Sequence, residues 1–426
     1  MNERFPFRTR LPEQARPALA IVRKLVAAGY QALLAGGCVR DLLLGQTPHD
    51  YDVATNAPPT EVGQLFCPTR QVGAQFGVAL VKKHGRWVEV ATFRADGPYL
   101  NGRRPVRVTL SDARHDALRR DFTVNGMFLD PLSMEIVDYV GGMADLKARL
   151  IRAIGDPAAR FDEDYLRLLR AVRFAAQLGF EIEPATLAAV KTHAPTLAKV
   201  APERVREELE RMFTHPSRCR AWSLLGDCGL RPYLWPGAAW TPEQVQTIDR
   251  LLPELPPEAG FELVMAILLS HTGPDEIERI ARALTLSNEQ RQTTAWLVAH
   301  QADLDDPGSL SLAALKLLMA NPAFRALVML ARARHQRLPD AGRRQAVLEK
   351  RVAGIPPGAV QPPPLVTGED LLRRGVPPGP IYKDVLEQLY RQQLDEQVRS
   401  REQALAELER LLSGLALPRQ KPGPPG

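Results

Sequence analysis

The chain has 426 residues, 45% of them hydrophobic and 24% charged, a composition typical of folded rather than disordered proteins. At about 150 residues per domain this allows roughly three domains, or one catalytic domain on a long helical body. No apolar run approaches the roughly 18 residues that a membrane span needs, and the opening MNERFPFRTR has neither the apolar core nor the cleavage site of a secretory leader. The four cysteines (Cys38, Cys67, Cys219, Cys228) form no C-x-x-C pair, which argues against a disulfide framework or a cysteine-zinc site. The expectation is a cytoplasmic protein with no membrane partner.

Lys and Arg number 55 against 49 Asp and Glu, a net charge of +6. Residues 1–200 hold 27 basic and 21 acidic side chains, so the whole excess lies in the front half, where Arg outnumbers Lys. The planar fork of Arg suits phosphate. This balance permits a nucleotide or nucleic-acid partner and is equally compatible with a merely basic surface.

In chain order, residues 13–30 have helical spacing and stop at Gly29. Gln31–Ala35 is a short apolar run ending in Gly36-Gly37, followed by a helical pattern over Val39–Leu44, hence strand, glycine turn, short helix. Tyr51–Thr55 reads as a second strand. Residues 78–83 and 86–93 flank His84-Gly85 as a hairpin. Ala95–Leu118 has no apolar period and reads as a long functional loop. Residues 122–129 and 134–140 are expected to be strands about Asp130-Pro131. From 143 to 350 the pattern is nearly all helical. Residues 355–380, with eight prolines, read as a connector. One amphipathic helix is expected over 383–413, and Pro418–Gly426 should be disordered. The fold class is therefore α+β: a small α/β head with a mixed sheet over 1–142, then a helical neck (143–215), a helical body (216–354) and a tail (355–426).

The head concentrates the chemistry. Asp50 and Asp52 stand two apart at the expected strand, so their carboxylates would share a face. Like charges that close repel unless a cation lies between them. Oxygen ligands and a hard cation mean Mg²⁺, which characteristically shares its shell with substrate phosphates. Taken alone, Asp-x-Asp is equally a solvated strand end. The preceding turn adds weight, because Gly36-Gly37 opens a helix whose first turn carries Arg40, an arrangement suited to an anion. Glu89, between Val88 and Val90, is either a third carboxylate of this site or a surface residue. Arg119-Arg120-Asp121 place two cations before Phe122, for phosphate contact or as an edge cluster.

Leu34–Asp41 (LAGGCVRD), Asp50–Thr55 (DYDVAT), Arg119–Asn125 (RRDFTVN), Asp138–Leu146 (DYVGGMADL) and Glu163–Phe174 (EDYLRLLRAVRF) together resemble the successive motifs of class II tRNA nucleotidyltransferases. That group comprises CCA-adding enzymes and related poly(A) polymerases within the DNA polymerase beta superfamily. The likeness is dense over residues 20–215, and Leu365–Leu389 also looks like the family's C-terminal region. It implies template-independent addition of CCA to the 3′ end of tRNA, with CTP and ATP as substrates. Asp50 and Asp52 would hold two Mg²⁺ ions with Glu89 as the third acid. Gly36, Gly37, Arg40 and Arg120 would hold the triphosphate. Asp164 and Arg167, three apart on an expected helix and so neighbours, would read the incoming base in place of a template. Arg170 and Arg173 continue that spacing, with Arg173 about half a turn from Asp164. Ala201–Phe213 (APERVREELERMF) resembles the next motif, a support for the base-reading helix. Gly126 and Tyr165 stand where the family more often has Ala or Ser, and Ala; both positions read as tolerant.

Three activities compete within the family. Bacterial poly(A) polymerases carry a Gly-basic-basic-Phe run where this chain has Gly73-Ala74-Gln75-Phe76, which disfavours poly(A) synthesis. The full-length stretch Ala95–Leu118 favours an enzyme able to add the terminal A over a CC-adding one. An A-adding specialist remains open. A binding protein with a dead catalytic head is disfavoured by the intact carboxylates. An HD-type phosphohydrolase is excluded by the lack of ligand spacing around His115-Asp116 and His271, and His49 reads as a surface turn residue.

Overall fold

The computed structural model describes residues 3–71, 77–97, 99–100, 104–105, 108–376 and 379–414. Its chain divides into two compact units, residues 1–239 with 278–286 and residues 240–277 with 287–426.

The first unit is built on a mixed sheet in the order Glu3–Pro6, Glu135–Asp138, Phe128–Asp130, Ala32–Ala35, Asp52–Thr55, Arg86–Thr92, Val78–Lys83, Thr69–Gln71. Every described pairing in it is antiparallel except Asp52–Thr55 with Arg86–Thr92, which is parallel. Residue alternation decides what the sheet covers: Val53, Val81, Val88 and Val90 are buried on one face. The helix Arg16–Ala27 contacts that side of the head, burying Ile21, Val22 and Leu25. The hairpin is as expected, with His84-Gly85 as its two-residue turn, φ +47° and +79°.

Three expectations are corrected in this unit. Residues 122–127 form no strand: Phe122 makes a single bridge to Ala153, and Thr123–Asn125 is a 3₁₀ turn. Side chains there bond to other side chains, Thr123 Oγ1 donating to Asp145, 22 residues on, and Asn125 Nδ2 to Asp121, and Phe122, Val124 and Met127 are all buried, so no face alternates. The long loop contains regular structure, since Arg94–Asp96 pairs with Val108–Leu110. Its end, Ala113–Leu118, is a helix capped by Asp112, which accepts from His115 N at 2.9 Å. The neck, finally, contains a short parallel pair, Leu150–Ile151 with Glu181–Ile182, among its helices Pro157–Glu163, Arg167–Leu178, Pro184–His193 and Pro202–Phe213.

The second unit is helical. No single helix among the described residues is long and apolar enough to cross a membrane. The proline-rich stretch is not a free connector. Pro357 and Pro380 each lie at the first position of a helix, and Val366 and Leu371 are buried with Val385, Leu389, Val398 and Leu408. The expected last helix is two, Pro380–Leu394 and Arg401–Gly414, broken where Glu396 takes φ +61°. The tail from 418 to 426 lies outside the described residues.

Candidate active site

A cavity of about 390 Å³ opens in the first unit beside the end of the strand that carries Asp52. It is lined by Gly36, Gly37, Arg40, Asp52, Arg119, Arg120, Asp121, Asn125, Asp164, Arg167, Arg170 and Phe174. Five arginines against three aspartates leave it net positive, which suits an anionic ligand.

The glycine turn shapes one wall. Gly36 has φ +74°, and a β-carbon there would lie 3.0 Å from Arg120 Nη1, so glycine both permits the turn and lets the guanidinium approach. Arg40, on the helix Gly37–Leu43, is nearly buried; it donates to Asp41 (2.8 Å) and Asn125 (2.6 Å) and lies 5.3 Å from the Phe174 ring centre. Arg119 and Arg120 share one buried carboxylate, Asp116, with closest approaches of 2.5 and 2.9 Å. Burial opposes ionisation of Asp116, and the two guanidinium groups outweigh it, holding its carboxyl below the usual range.

Asp52 sits at the start of its strand, registered against Ala35. Its carboxyl is pushed up to about 6, first by burial and then by the negative charge of Glu89, with Arg120 pulling the other way. The register explains the effect of Glu89: Val53 pairs with Val90, so Asp52 and Glu89 precede paired residues and share a face. Asp50 lies before the strand rather than in it. Its carboxylate is 82% exposed and bonds His49 Nδ1 at 3.0 Å, which raises the imidazole pKa. Among the described residues, no three His, Cys, Asp or Glu side chains converge on a metal-sized site. Asp50 and Glu89 do not line the cavity; Asp52 does.

The segment expected to read the base also departs from a single helix. Asp164 ends the helix Pro157–Glu163 in an extended conformation (φ −148°, ψ 102°), and Arg167 begins the next, Arg167–Leu178. The break follows from local bonding, since Asp164 Oδ1 accepts from Leu166 N at 3.1 Å. The two residues are therefore not helical neighbours, although both line the cavity. Asp164 is gripped by Arg204 through two bonds of 3.1 and 2.8 Å. Arg167 donates to Glu163 (2.6 Å) and to the carbonyls of Arg160 and Arg119.

Arg170 donates to Asp121, Nε to Oδ2 at 2.8 Å. Burial pushes the Asp121 carboxyl up, but Arg170, then Arg167, more than offset it and leave it at about 2. Arg173 does not line the cavity and is held by Glu208 at 2.6 Å. Arg40, Arg170 and Arg173 all surround Phe174, at 5.3, 5.1 and 4.1 Å from its ring centre. Phe174 in turn meets Phe122 edge-on at 5.9 Å, joining neck to head.

Sequence reasoning missed the partners that hold these groups. Asp116 is at helical spacing of three and four from Arg119 and Arg120, a signal hidden by reading its segment as loop. Arg204 and Glu208, four apart on Pro202–Phe213, were visible as one helix face. Gly126 is less tolerant than expected: a β-carbon there would lie 2.7 Å from Val140 Cγ2 and 3.1 Å from Ile154 Cδ1. The expected contrast at Gly73-Ala74-Gln75-Phe76 falls outside the described residues. His115 bonds Asp112, while Asp116 serves the arginines, so the pair makes no common site.

A mixed sheet with a half-buried carboxylate at a strand start, facing a glycine turn and an arginine-lined cavity, defines a nucleotidyltransferase head. Residues 32–152 match the Poly A polymerase head domain, and residues 179–241 match the "Probable RNA and SrmB- binding site of polymerase A". The CCA-adding enzyme of Levilactobacillus brevis is 35% identical over 385 residues, covering 88% of this chain and 92% of that one. That of Geobacillus stearothermophilus is 35% identical over 380 residues, covering 88% and 91%. The crystal structure of the Bacillus stearothermophilus CCA-adding enzyme in complex with CTP superposes with a TM-score of 0.79 at 31% identity, over 95% of this chain and 98% of that one. The chain belongs to the CCA-adding enzyme family.

Proposed function

We propose that this protein adds CCA to the 3′ end of tRNA, transferring CMP and AMP from CTP and ATP to the RNA 3′-hydroxyl with release of pyrophosphate. The observation that carries the reading is one cavity with Asp52 and Arg120 on its wall and Asp164 with Arg167 also lining it. Relatives named CCA-adding enzymes, aligned over nearly nine-tenths of the chain, support it. Within it, residues 1–142 are the catalytic head, 143–215 the base-reading neck, and the helices beyond serve tRNA. A tRNA-processing role belongs in the cytoplasm.

Nucleotidyltransferases of this kind generally depend on a divalent metal, here proposed as Mg²⁺. The donors fit: Asp52 and Glu89 are hard oxygen ligands close enough for one to raise the pKa of the other, and a cation relieves that repulsion. Asp52, with Glu89 beside it and Asp50 two residues upstream, would hold the metal. When bound it neutralises charge on the triphosphate and favours ionisation of the 3′-hydroxyl. Arg40 and Arg120, fixed by Asn125 and Asp116, bind the triphosphate against Gly36 and Gly37 and orient it for in-line attack. Asp164 and Arg167 choose the base. A carboxylate accepts from the exocyclic amine that cytosine and adenine share, and a guanidinium donates to ring acceptors. Uracil and guanine offer a carbonyl instead, leaving acceptors face to face, a mismatch that is strongly rejected. Arg170 and Arg173 support this wall through Asp121 and Glu208.

The test uses tRNA transcripts ending before CCA, after the first C and after CC, each offered CTP, ATP or both with Mg²⁺. Three added nucleotides and no more on the shortest, requiring both CTP and ATP, are expected. Extension of the CC-ended transcript alone would reveal an A-adding enzyme, and ATP-only ladders a poly(A) polymerase. Either would overturn the reading.

A further inference from the structure

The sheet face that carries Asp52 and Glu89 continues outward along the hairpin. Trp87 lies two residues before Glu89 on the same strand, so both side chains stand on that face, roughly 7 Å apart along the strand. Cross-strand register extends the row: Lys82 pairs with Trp87, Leu80 with Glu89, and Arg70 with Leu80. The opposite face holds the buried Val81, Val88 and Val90, so this row is the outer one. Trp87 keeps 38% of its surface exposed, a large value for so apolar a ring. Arg70 stacks over it at 4.6 Å from the ring centre, and Lys82 lies at 5.8 Å. The ring is thus held by one cation, flanked by a second, and still open to solvent.

An exposed aromatic face between cations is the chemistry that binds single-stranded nucleic acid, because bases stack on the ring while the cations track phosphates. Its position narrows the occupant. The attacking 3′-hydroxyl must reach the carboxylates, and the nucleotide behind it then falls at the neighbouring place on the same face. We propose that Trp87, with Arg70 and Lys82, seats the single-stranded 3′-terminal nucleotides of the acceptor RNA, one base stacking on Trp87 and its phosphate meeting the two cations. This rests on the nucleotidyl-transfer reading of the site. It assigns to the hairpin a task distinct from nucleotide binding, for none of these three side chains lines the arginine-rich cavity.

The experiment measures binding, so that it stands apart from turnover. Acceptor-stem minihelices labelled at the 5′ end, one blunt and one with a single-stranded 3′ overhang ending in CC, are titrated with full-length parent, Trp87→Ala, Trp87→Phe and Arg70→Ala. The parent should prefer the overhang. Trp87→Ala should weaken overhang binding about ten-fold and blunt binding less than about two-fold. Trp87→Phe, which keeps a stacking face, should recover most of the loss, and CTP affinity measured without RNA should be unchanged in all variants. Unchanged overhang binding by Trp87→Ala, or an equal loss on both RNAs, overturns the assignment. A parent that extends no tRNA while Trp87→Ala still loses overhang binding would refute CCA addition and leave the RNA seat standing.

Discussion

Removing Arg204 should damage base choice through a residue that need not touch the nucleotide. Asp164 and Arg204 are joined by bonds of 3.1 and 2.8 Å, and their side chains are only 19% and 27% exposed. Such a two-point, charge-assisted pair is stronger than a surface ion pair and weaker than a fully buried one, about 1–2 kcal/mol in fixing the carboxylate. If that fixed carboxylate accepts the amine of the incoming base, Arg204→Ala forfeits this amount in the transition state for CTP. The loss in kcat/KM is then about 5- to 30-fold, since 1.4 kcal/mol is a factor of ten. UTP has no amine for Asp164 to accept, so its slow incorporation should change little, and discrimination should fall by nearly the same factor. Single-turnover addition of CTP and UTP to a tRNA lacking CCA reads both numbers. In the background of Asp164→Ala, Arg204→Ala should cost almost nothing further. An equal fall for CTP and UTP, or additive losses in the double variant, would make Arg204 a general support of the fold and refute the reasoning.

Two further outcomes follow from the same wall. The Asp121 carboxyl is held near 2 against an ordinary 3.8, so its pairing stabilises the fold fully above about pH 5 and the contribution is lost as pH falls through 2 to about pH 1. Asp121→Asn should therefore cost about 2 kcal/mol at pH 7, with the gap to the parent narrowing progressively between about pH 5 and about pH 1 in urea titrations; a gap independent of pH would contradict the pairing. Gly142→Ala would drive a β-carbon into the Thr123 carbonyl oxygen and to 2.7 Å from Met127 Cγ. It should cost about 2–3 kcal/mol in thermal unfolding and weaken CTP binding, because the Thr123–Asn125 turn carries the Asn125 that holds Arg40.

The parts of this molecule that were legible in the sequence are those set by local pattern. The hairpin declared itself because Val81, Val88 and Val90 alternate with outward residues about His84-Gly85, and the glycine turn because a strand and a helix pattern meet there. Asp52, Arg40 and Arg120 stand out in the residue pattern, Asp164, Arg167 and Arg170 in the likeness to the family motifs, and all six line one cavity. Features decided by distant partners were not legible. Asp164 leaves the helix as its carboxylate accepts from Leu166 N, and that carboxylate is gripped by Arg204, 40 residues on. Thr123–Asn125 turns because Asp145 and Asp121 accept from its side chains. The proline-rich stretch reads as a linker from its proline content, whereas Pro357 and Pro380 both begin helices and the segment between contributes Val366 and Leu371 to a core.

The most direct test of the account is Asp52→Asn. The substitution removes the charge that a metal would need and keeps nearly the same shape in the cavity wall. Primer extension on a tRNA lacking CCA, with CTP, ATP and Mg²⁺, should fall at least about 1,000-fold, while tRNA affinity and unfolding temperature stay close to the parent. Retained turnover at a tenth or more of the parent rate would remove Asp52 from the chemistry and contradict the assignment of this cavity as the catalytic site.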